Sequence, residues 1–204
     1  AFSGITKKGK FELSRQDAIT FLNLSGNPNG KPNSDVIAPW KNGASVTGRD
    51  TEQWIINFEE MNETEASCYE APFARVTTLV KPQRLATGSP AERREWWKLG
   101  RRAPAMFQAI ANLPRFIVTL ETSKHRTFSW LQPPTVPDKN LVVIARADDV
   151  TFGILHSRFH ELWSLGLCTW MGVGNDPRYT SKSTFRTFPF PTGMTPADTA
   201  AGAP

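Results

Sequence analysis

The most uniformly apolar run in the chain is residues 141–145, Leu-Val-Val-Ile-Ala. A short run of this kind, rich in β-branched side chains, is typical of a strand that is buried in a sheet. Asp148 and Asp149 follow it and can cap a helix. The apolar residues beyond them recur at helical spacing, at Phe152, Leu155, Phe159, Leu162 and Trp163. This spacing predicts an amphipathic helix with one apolar stripe.

A hairpin is predicted just before this strand. Residues 115–120 and 126–131 both have the composition of β-strands, and only the polar segment 121–125 separates them. A short polar connection between two such segments favours an antiparallel pair. Lys124, His125 and Arg126 would then lie at the tip of the hairpin.

Several helix start signals occur in the first half of the chain. Ser14 precedes a short segment with helical periodicity. Asn62 with Glu65, and Ser89 with Glu92, have the spacing of capping boxes, in which each side chain bonds to the other residue's backbone N–H. Helices are therefore expected to begin after all three cap residues.

Two prolines bear on the helix that begins after Asn62. Pro82 is expected to end that helix, because proline lacks a backbone N–H and its ring clashes with the preceding turn. Pro72 lies inside the same periodic segment and predicts a break or kink. Before it, residues 54–58 form a short apolar run that predicts a buried strand.

The C-terminal part of the chain is less regular. From residue 166 to 174 the periodicity is lost and a loop is expected, whereas residues 184–188 alternate like a half-buried strand that Pro189 ends. Residues 192–204 are rich in Thr, Ala, Pro and Gly and are expected to form a flexible linker or tail.

Helices and strands mix without regular β-α-β alternation. This order predicts an α+β fold with antiparallel or mixed β-sheets and several short helices. A length of 204 residues suffices for one sizeable domain or for two small lobes with cores of their own.

Charge is unevenly distributed along the chain, whose formal net charge is +5. Residues 50–74 contain seven acids and no Lys or Arg, whereas residues 81–102 contain seven Lys or Arg and two Glu. A polyanionic partner is one use for such asymmetry, and a solvated helix face is the alternative. The residues alone leave both open.

Composition also bears on where the protein works. No apolar run is long enough to cross a membrane, and nothing at the N-terminus resembles a signal peptide. Cys68 and Cys168 are far apart and lack metal-type spacing. We expect a reduced, cytoplasmic protein, and the missing initiator Met suggests a piece of a longer chain.

Catalytic patterns are incomplete. His156 and His160 lie four residues apart, which is the spacing of helical zinc sites, but the residue after His156 is Ser157 and no third ligand is evident. Hydrogen bonding at the edge of the core is the other interpretation of these histidines. Neither a base partner for Cys168 nor a phosphate-binding glycine motif is present.

Two polar segments suit nucleic acid better. Phosphates are bound by Lys, Arg and small polar donors, and base edges by Arg, Lys, Asn, Gln and acids. The hairpin tip 123–126 and the segment 175–182 supply these groups at the two ends of the C-terminal half. Ordinary polar turns have the same composition, and that alternative stays open.

A set of short motifs occurs in an order that is similar to one family. They are residues 34–43 (SDVIAPWKNG), 54–58 (WIINF), 69–73 (YEAPF), 80–84 (VKPQR), 123–128 (SKHRTF), 153–158 (GILHSR), 178–180 (RYT) and 188–191 (FPFP). Together they resemble the target recognition domain of MmeI-like adenine-specific DNA methyltransferases, the single-chain type IIL or IIG restriction-modification enzymes. The resemblance covers residues 1–191.

This resemblance implies a double-stranded DNA recognition module with no catalytic residue and no cofactor of its own. The family's catalytic domain, which uses S-adenosylmethionine and an Asn-Pro-Pro-aromatic motif to methylate N6 of adenine, is not found in these residues and would be the partner within the parent chain. The alternatives are a metal-dependent hydrolase that uses His156 and His160, and a protein-interaction module.

In a recognition domain of this kind, we expect the base-reading side chains in the loop after the helix that contains Trp163 and in the hairpin around Lys124. The base-reading candidates are Lys124, His125, Arg126, Thr169, Asn175, Asp176 and Arg178. The phosphate-binding candidates are Lys81, Arg84, Ser181 and Lys182.

Overall fold

A computed structural model describes residues 1–173, 176–195 and 198. The strands are β1 (Phe2–Ser3), β2 (Glu12–Leu13), β3 (Ile37–Lys41), β4 (Trp54–Ile56), β5 (Phe116–Leu120), β6 (Phe128–Leu131), β7 (Val136–Pro137), β8 (Leu141–Ile144), β9 (Thr169–Met171) and β10 (Asp176–Arg178). The helices are α1 (Arg15–Leu22), α2 (Gly43–Thr47), α3 (Glu63–Ser67), α4 (Glu70–Leu79), α5 (Lys81–Thr87), α6 (Pro90–Arg94), α7 (Pro104–Ile110), α8 (Asp149–Leu155) and α9 (Arg158–Leu167). A 3-10 turn occupies Asn33–Asp35 and a π-helical turn occupies Ser181–Phe185.

The described residues divide into two compact units. Unit 1 comprises Ala1–Gly4, Ala103–Pro133 and the described part of 137–204. Unit 2 comprises Ile5–Arg102 and Pro134–Val136.

Unit 1 is built on a four-stranded sheet with the order β1-β8-β5-β6, in which all neighbours are antiparallel. The predicted hairpin is confirmed as β5 and β6, with Thr119 opposite Phe128. The predicted buried strand is confirmed as β8, whose four residues are all buried. Because side chains on both faces of β8 are buried, neither face presents a polar residue to solvent.

Side chains from the sheet, from the helices that follow it and from the C-terminal segment pack into one core. It contains Ile117, Phe128, Val142, Ile144, Leu155, Tyr179 and Phe185. Asp148 caps α8 as predicted, because its carboxylate accepts a hydrogen bond of 2.7 Å from the backbone N–H of Thr151. The C-terminal residues 179 and 185 are therefore held by the same core as the central strands.

The single apolar helix predicted after Asp148 is wrong in two respects. Two helices form instead, because Ser157 caps α9 by accepting from the backbone N–H of His160. The predicted stripe is also only partly buried, since Phe159 is 81% exposed and Leu162 is 52% exposed. Helical spacing identifies a common face, but it does not show whether another element covers that face.

Unit 2 contains helices α1 to α6 and a sheet with the order β2-β4-β3-β7, to which β7 contributes Val136. The first three residues of the run at 54–58 form β4, in which Ile55 and Ile56 are fully buried. Both predicted capping boxes are present in full, at the starts of α3 and α6. The structure thus confirms the α+β class with antiparallel or mixed sheets and several short helices.

The prolines of unit 2 act at different positions from those predicted. The break falls at Cys68 and Tyr69, before Pro72, which lies in the first turn of α4. Pro82 does not end a helix but occupies the first turn of α5. The first turn has no intrahelical partner for its N–H groups, so proline is tolerated there.

Two predictions for the C-terminal part are also wrong. The loop predicted over 166–174 is shorter, because α9 continues to Leu167 and β9 follows it. The strand predicted at 184–188 is a π-helical turn over Ser181–Phe185, which Thr180 caps by accepting from the backbone N–H of Ser183. In the part of the chain that the structure describes, no helix is long and apolar enough to span a membrane.

Candidate nucleic-acid interface

Strands β9 and β10 form a two-stranded antiparallel ribbon that carries three of the base-reading candidates. Arg178 lies opposite Thr169, and Asp176 lies opposite Met171. Directly opposed residues point to the same face of a ribbon, so these four side chains share one face. Thr169 and Arg178 are exposed and Asp176 is half-buried. Asn175 lies outside the described residues.

The β5–β6 turn, residues 121–127, lies against this ribbon. The backbone N–H of Tyr179 donates to the carbonyl of Glu121 at 2.7 Å, and that of Ser123 donates to the carbonyl of Pro177 at 3.4 Å. Thr122 also forms a β-bridge with Arg178. The two polar segments that are far apart in sequence therefore form one surface, which we call the ribbon-turn surface: residues 121–127, 169–171 and 176–178.

Lys124 and His125 are exposed at the turn, whereas Arg126 is half-buried. The Arg126 guanidinium donates to the carbonyl of Leu120, to Thr119 Oγ1 at 3.1 Å and to the carbonyl of Pro177 at 3.4 Å. It also lies over the Tyr179 ring, 4.9 Å from the centroid, and burial lowers the pKa of this guanidinium from its ordinary value. In this structure Arg126 joins the turn to the ribbon and has few donors left for a base.

Arg178 is held by one carboxylate. Its Nε lies 2.7 Å and its Nη2 lies 2.5 Å from the same Glu121 oxygen, Oε1. The side chains are 45% and 26% exposed, respectively. Glu121 was not among the residues selected from the sequence. Its only signal there is its position just after a predicted strand, and nothing in the sequence indicates a partner 57 residues away.

Beneath the surface, Tyr179 and His160 anchor β10 to α9. Both are almost fully buried, and the Tyr179 hydroxyl lies 3.1 Å from His160 Nε2. His160 Nδ1 lies 2.9 Å from the carbonyl of Leu155, so its N–H donates there and Nε2 accepts from the phenol. Burial lowers the pKa of His160 to about 4 and raises the pKa of the Tyr179 phenol.

His156 is exposed, but both of its ring nitrogens also have partners. Its Nε2 accepts from the backbone N–H of Phe128 at 3.3 Å, and its Nδ1 lies 3.1 Å from the carbonyl of Phe152. Each ring nitrogen of the two histidines thus has a hydrogen-bonding partner in unit 1. Among the described residues, no group of three or more His, Cys, Asp or Glu is placed to hold a metal ion.

The phosphate candidates fall into two groups. Ser181 is half-buried and Lys182 is exposed in the π-helical turn, three and four residues beyond Arg178. Lys81 lies in unit 2, where its Nζ stands 4.5 Å from the centroid of the Trp96 ring.

The position of Arg84 contradicts its selection as a phosphate-binding residue, because Arg84 is only 3% exposed. Its guanidinium donates to the backbone carbonyls of Lys8, Lys7 and Lys98 at 2.8, 3.1 and 3.1 Å. A buried guanidinium that is bound by three carbonyls cannot reach a phosphate in this conformation. Arg84 therefore belongs to the core of unit 2.

The basic stretch 81–102 is partly neutralised by the neighbouring acids. Arg102 Nη1 lies 2.9 Å from Glu60, and Lys98 Nζ lies 3.0 Å from Glu95. The arginines of this stretch that are exposed are Arg93, Arg94 and Arg101. Two of the seven basic side chains in this stretch, Lys98 and Arg102, are thus paired with acids within unit 2.

Comparison with known proteins agrees with this architecture. A family model described as the MmeI target recognition domain matches residues 5–192. A solved structure of the type IIL restriction-modification enzyme MmeI in complex with DNA has the same fold, with a TM-score of 0.71 at 14% sequence identity. The similarity covers 93% of this chain and 24% of that one, so this chain spans about a quarter of its length. None of the curated proteins compared with the chain matches it. Because the family model covers most of the sequence, the chain belongs to the MmeI target recognition domain family.

Proposed function

We propose that this chain is the target recognition module of an S-adenosylmethionine-dependent N6-adenine DNA methyltransferase, and that it binds double-stranded DNA through the ribbon-turn surface. The observation that carries the proposal is the junction of an exposed ribbon with a polar turn in a member of this family. The solved MmeI complex, in which a protein of the same fold is bound to DNA, supports the same partner.

The ribbon carries side chains that suit direct reading of bases. The major groove of B-DNA admits a two-stranded β-ribbon, and each base pair presents its own pattern of donors and acceptors there. Arg178 offers donors, Asp176 offers acceptors and Thr169 offers a hydroxyl, all on one face. Lys124 at the turn and Lys182 beyond the ribbon are exposed and would contact phosphates, which fix the register without reading sequence.

The chemistry belongs to the rest of the parent enzyme. In this proposal a catalytic domain of the same polypeptide binds S-adenosylmethionine and receives an adenine flipped out of the duplex, while residues 1–191 hold the flanking sequence. Residues 192–204 would serve as a linker or tail. We place the enzyme in the cytoplasm. Cys68 and Cys168 are both free thiols, which suits a reducing compartment.

Binding to duplex DNA is expected to depend on salt. If Lys124 and Lys182 neutralise about two phosphates, raising the salt concentration from about 50 to about 200 mM should weaken binding about tenfold. Fluorescence anisotropy with labelled duplexes at these two concentrations would measure the change. The proposal would be wrong if the purified chain bound no duplex at the lower concentration.

The preferred duplex, selected from a randomised pool, provides the test of sequence reading. Arg178→Ala is expected to weaken binding of that duplex by about 1–3 kcal/mol and to change binding of unrelated duplexes much less. Arg158→Ala is the matched control, because Arg158 is also exposed and also paired with a glutamate, at 2.6 Å, but lies outside the ribbon-turn surface. If both variants lost the same affinity for the preferred duplex, Arg178 would have no specific role in base reading.

A further inference from the structure

We propose that Glu121 is a positioning residue that fixes the Arg178 guanidinium end-on, so that Arg178 selects guanine at one position of the target. The inference rests on the proposed function and deepens it. Its basis is the pair of hydrogen bonds from Nε and Nη2 of Arg178 to the single oxygen Glu121 Oε1, at 2.7 and 2.5 Å.

The backbones that carry the two side chains are fixed relative to each other. The N–H of Glu121 donates to the carbonyl of Asn140 at 2.7 Å, and its carbonyl accepts from Tyr179 at 2.7 Å. On the other strand, Arg178 lies between Tyr179, which is 1% exposed, and Pro177, whose carbonyl accepts from the turn. The Glu121 carboxylate is therefore held on a fixed backbone next to the Arg178 guanidinium. The Arg178 side chain then has little conformational freedom to lose when it binds DNA.

The way the guanidinium is held decides which edge remains free. A guanidinium has five N–H donors in one plane, and the Nε–Nη2 edge is occupied by Glu121. The end formed by Nη1 and the outer N–H of Nη2 remains available. Two parallel donors match the O6 and N7 acceptors of guanine, whereas adenine presents a donor beside N7. An arginine fixed in this orientation should therefore prefer guanine to adenine.

Stability does not account for this ion pair. Arg178 is 45% exposed and Glu121 is 26% exposed, and pairs at such surfaces contribute little to folding. A carboxylate on a DNA-binding surface also repels phosphates and so weakens binding to every sequence. Glu121 adds little stability and reduces general affinity for DNA, so we explain its presence by a gain in base selectivity. Without this carboxylate, the Arg178 side chain would sample many rotamers.

The test compares base preference with general affinity. Wild-type chain, Arg178→Ala, Glu121→Gln and Glu121→Ala are each used to select duplexes from the same randomised pool, and each is then titrated with the wild-type preferred duplex and with an unrelated one. We expect Glu121→Ala to lose about tenfold of the guanine preference at the position that depends on Arg178. Binding of the unrelated duplex should be unchanged or stronger. Glu121→Gln keeps an acceptor oxygen but not its charge, so its preference should be intermediate.

Glu161→Ala is the control variant, because Glu161 pairs with exposed Arg158 at 2.6 Å and lies outside the surface. It should keep the wild-type preference at all positions. The inference is overturned if Glu121→Ala keeps the wild-type guanine preference, if it loses preference equally at all positions, or if the Arg178-dependent position is not guanine. Failure of the wild-type chain to bind any duplex would overturn the proposed function itself, which is a different result from unchanged preference in a chain that binds.

Discussion

Replacing Arg84 with alanine is expected to lower the free energy of unfolding by about 2–5 kcal/mol. The guanidinium is 3% exposed and donates to three backbone carbonyls, so its removal leaves acceptors in the core without their donor. The Lys7 carbonyl keeps a second donor, the N–H of Gly100, whereas the carbonyls of Lys8 and Lys98 lose the bond from Arg84. Part of the loss comes from packing, because the guanidinium lies 5.7 Å from the centroid of Phe11.

Urea denaturation of the variant measures this loss, and Arg94→Ala is the matched control. Arg94 is an exposed arginine of the same basic stretch, so its removal should change stability by no more than about 0.5 kcal/mol. The salt dependence of DNA binding should be the same for a folded Arg84 variant and for wild type. A nearly unchanged stability together with a smaller salt slope would instead restore Arg84 to the phosphate-binding set.

The second large effect concerns pH, and it follows from the buried His160. Its folded-state pKa of about 4 lies below the ordinary value of 6.5. Between these values the unfolded chain binds a proton that the folded chain does not, so stability is lost as the pH falls from about 6.5 towards 4. The loss attributable to this residue is about 3 kcal/mol over the whole window and is absent above it.

Measuring the free energy of unfolding across this window in wild type and in His160→Gln isolates the contribution. The wild-type slope should exceed that of the variant by up to about 1.4 kcal/mol per pH unit. His125→Gln is the matched histidine replacement, because His125 is exposed at the turn and its removal leaves no cavity in the core. Parallel curves for wild type and His160→Gln would show that protonation of the buried imidazole does not drive acid unfolding.

Local signals in the sequence predicted much of the fold. The hairpin, the central strand β8 and the two capping boxes all formed where their residues indicated. Each depends on residues within a few positions of one another, such as Asn62 with Glu65. Such elements can be predicted from a short segment, because the hydrogen bonds of a cap or a tight turn form between residues close in sequence.

Predictions that needed tertiary context failed. The alternation at 184–188 matched a strand, but Thr180 caps a π-helical turn there and Phe185 packs into the core of unit 1. The stripe on α9 had the right period, yet no described element covers Phe159. Periodicity shows which side chains share a face of a helix or strand. Contacts with the rest of the protein determine whether that face is buried.

The candidate site shows the same division. Residue type alone identified donors and acceptors at Lys124, Asp176 and Arg178, and the structure places all three on one surface. Residue type did not show which arginines are buried. Arg84 and Arg126 donate hydrogen bonds to backbone carbonyls. Glu121 was missed because its interaction with Arg178 crosses 57 residues, a distance that no short pattern spans.

The extended backbone from Asp176 to Thr180 alternates between half-buried or exposed positions and buried ones, with Pro177 and Tyr179 turned inward and Arg178 turned outward. Tolerance to substitution should alternate in the same way. We expect substitutions at positions 176 and 178 to preserve the fold, whereas substitutions of the buried Pro177 and Tyr179 should disturb the ribbon. If the ribbon reads bases as we propose, changes at every second residue alter the side chains offered to DNA, while the buried residues between them keep the ribbon in place.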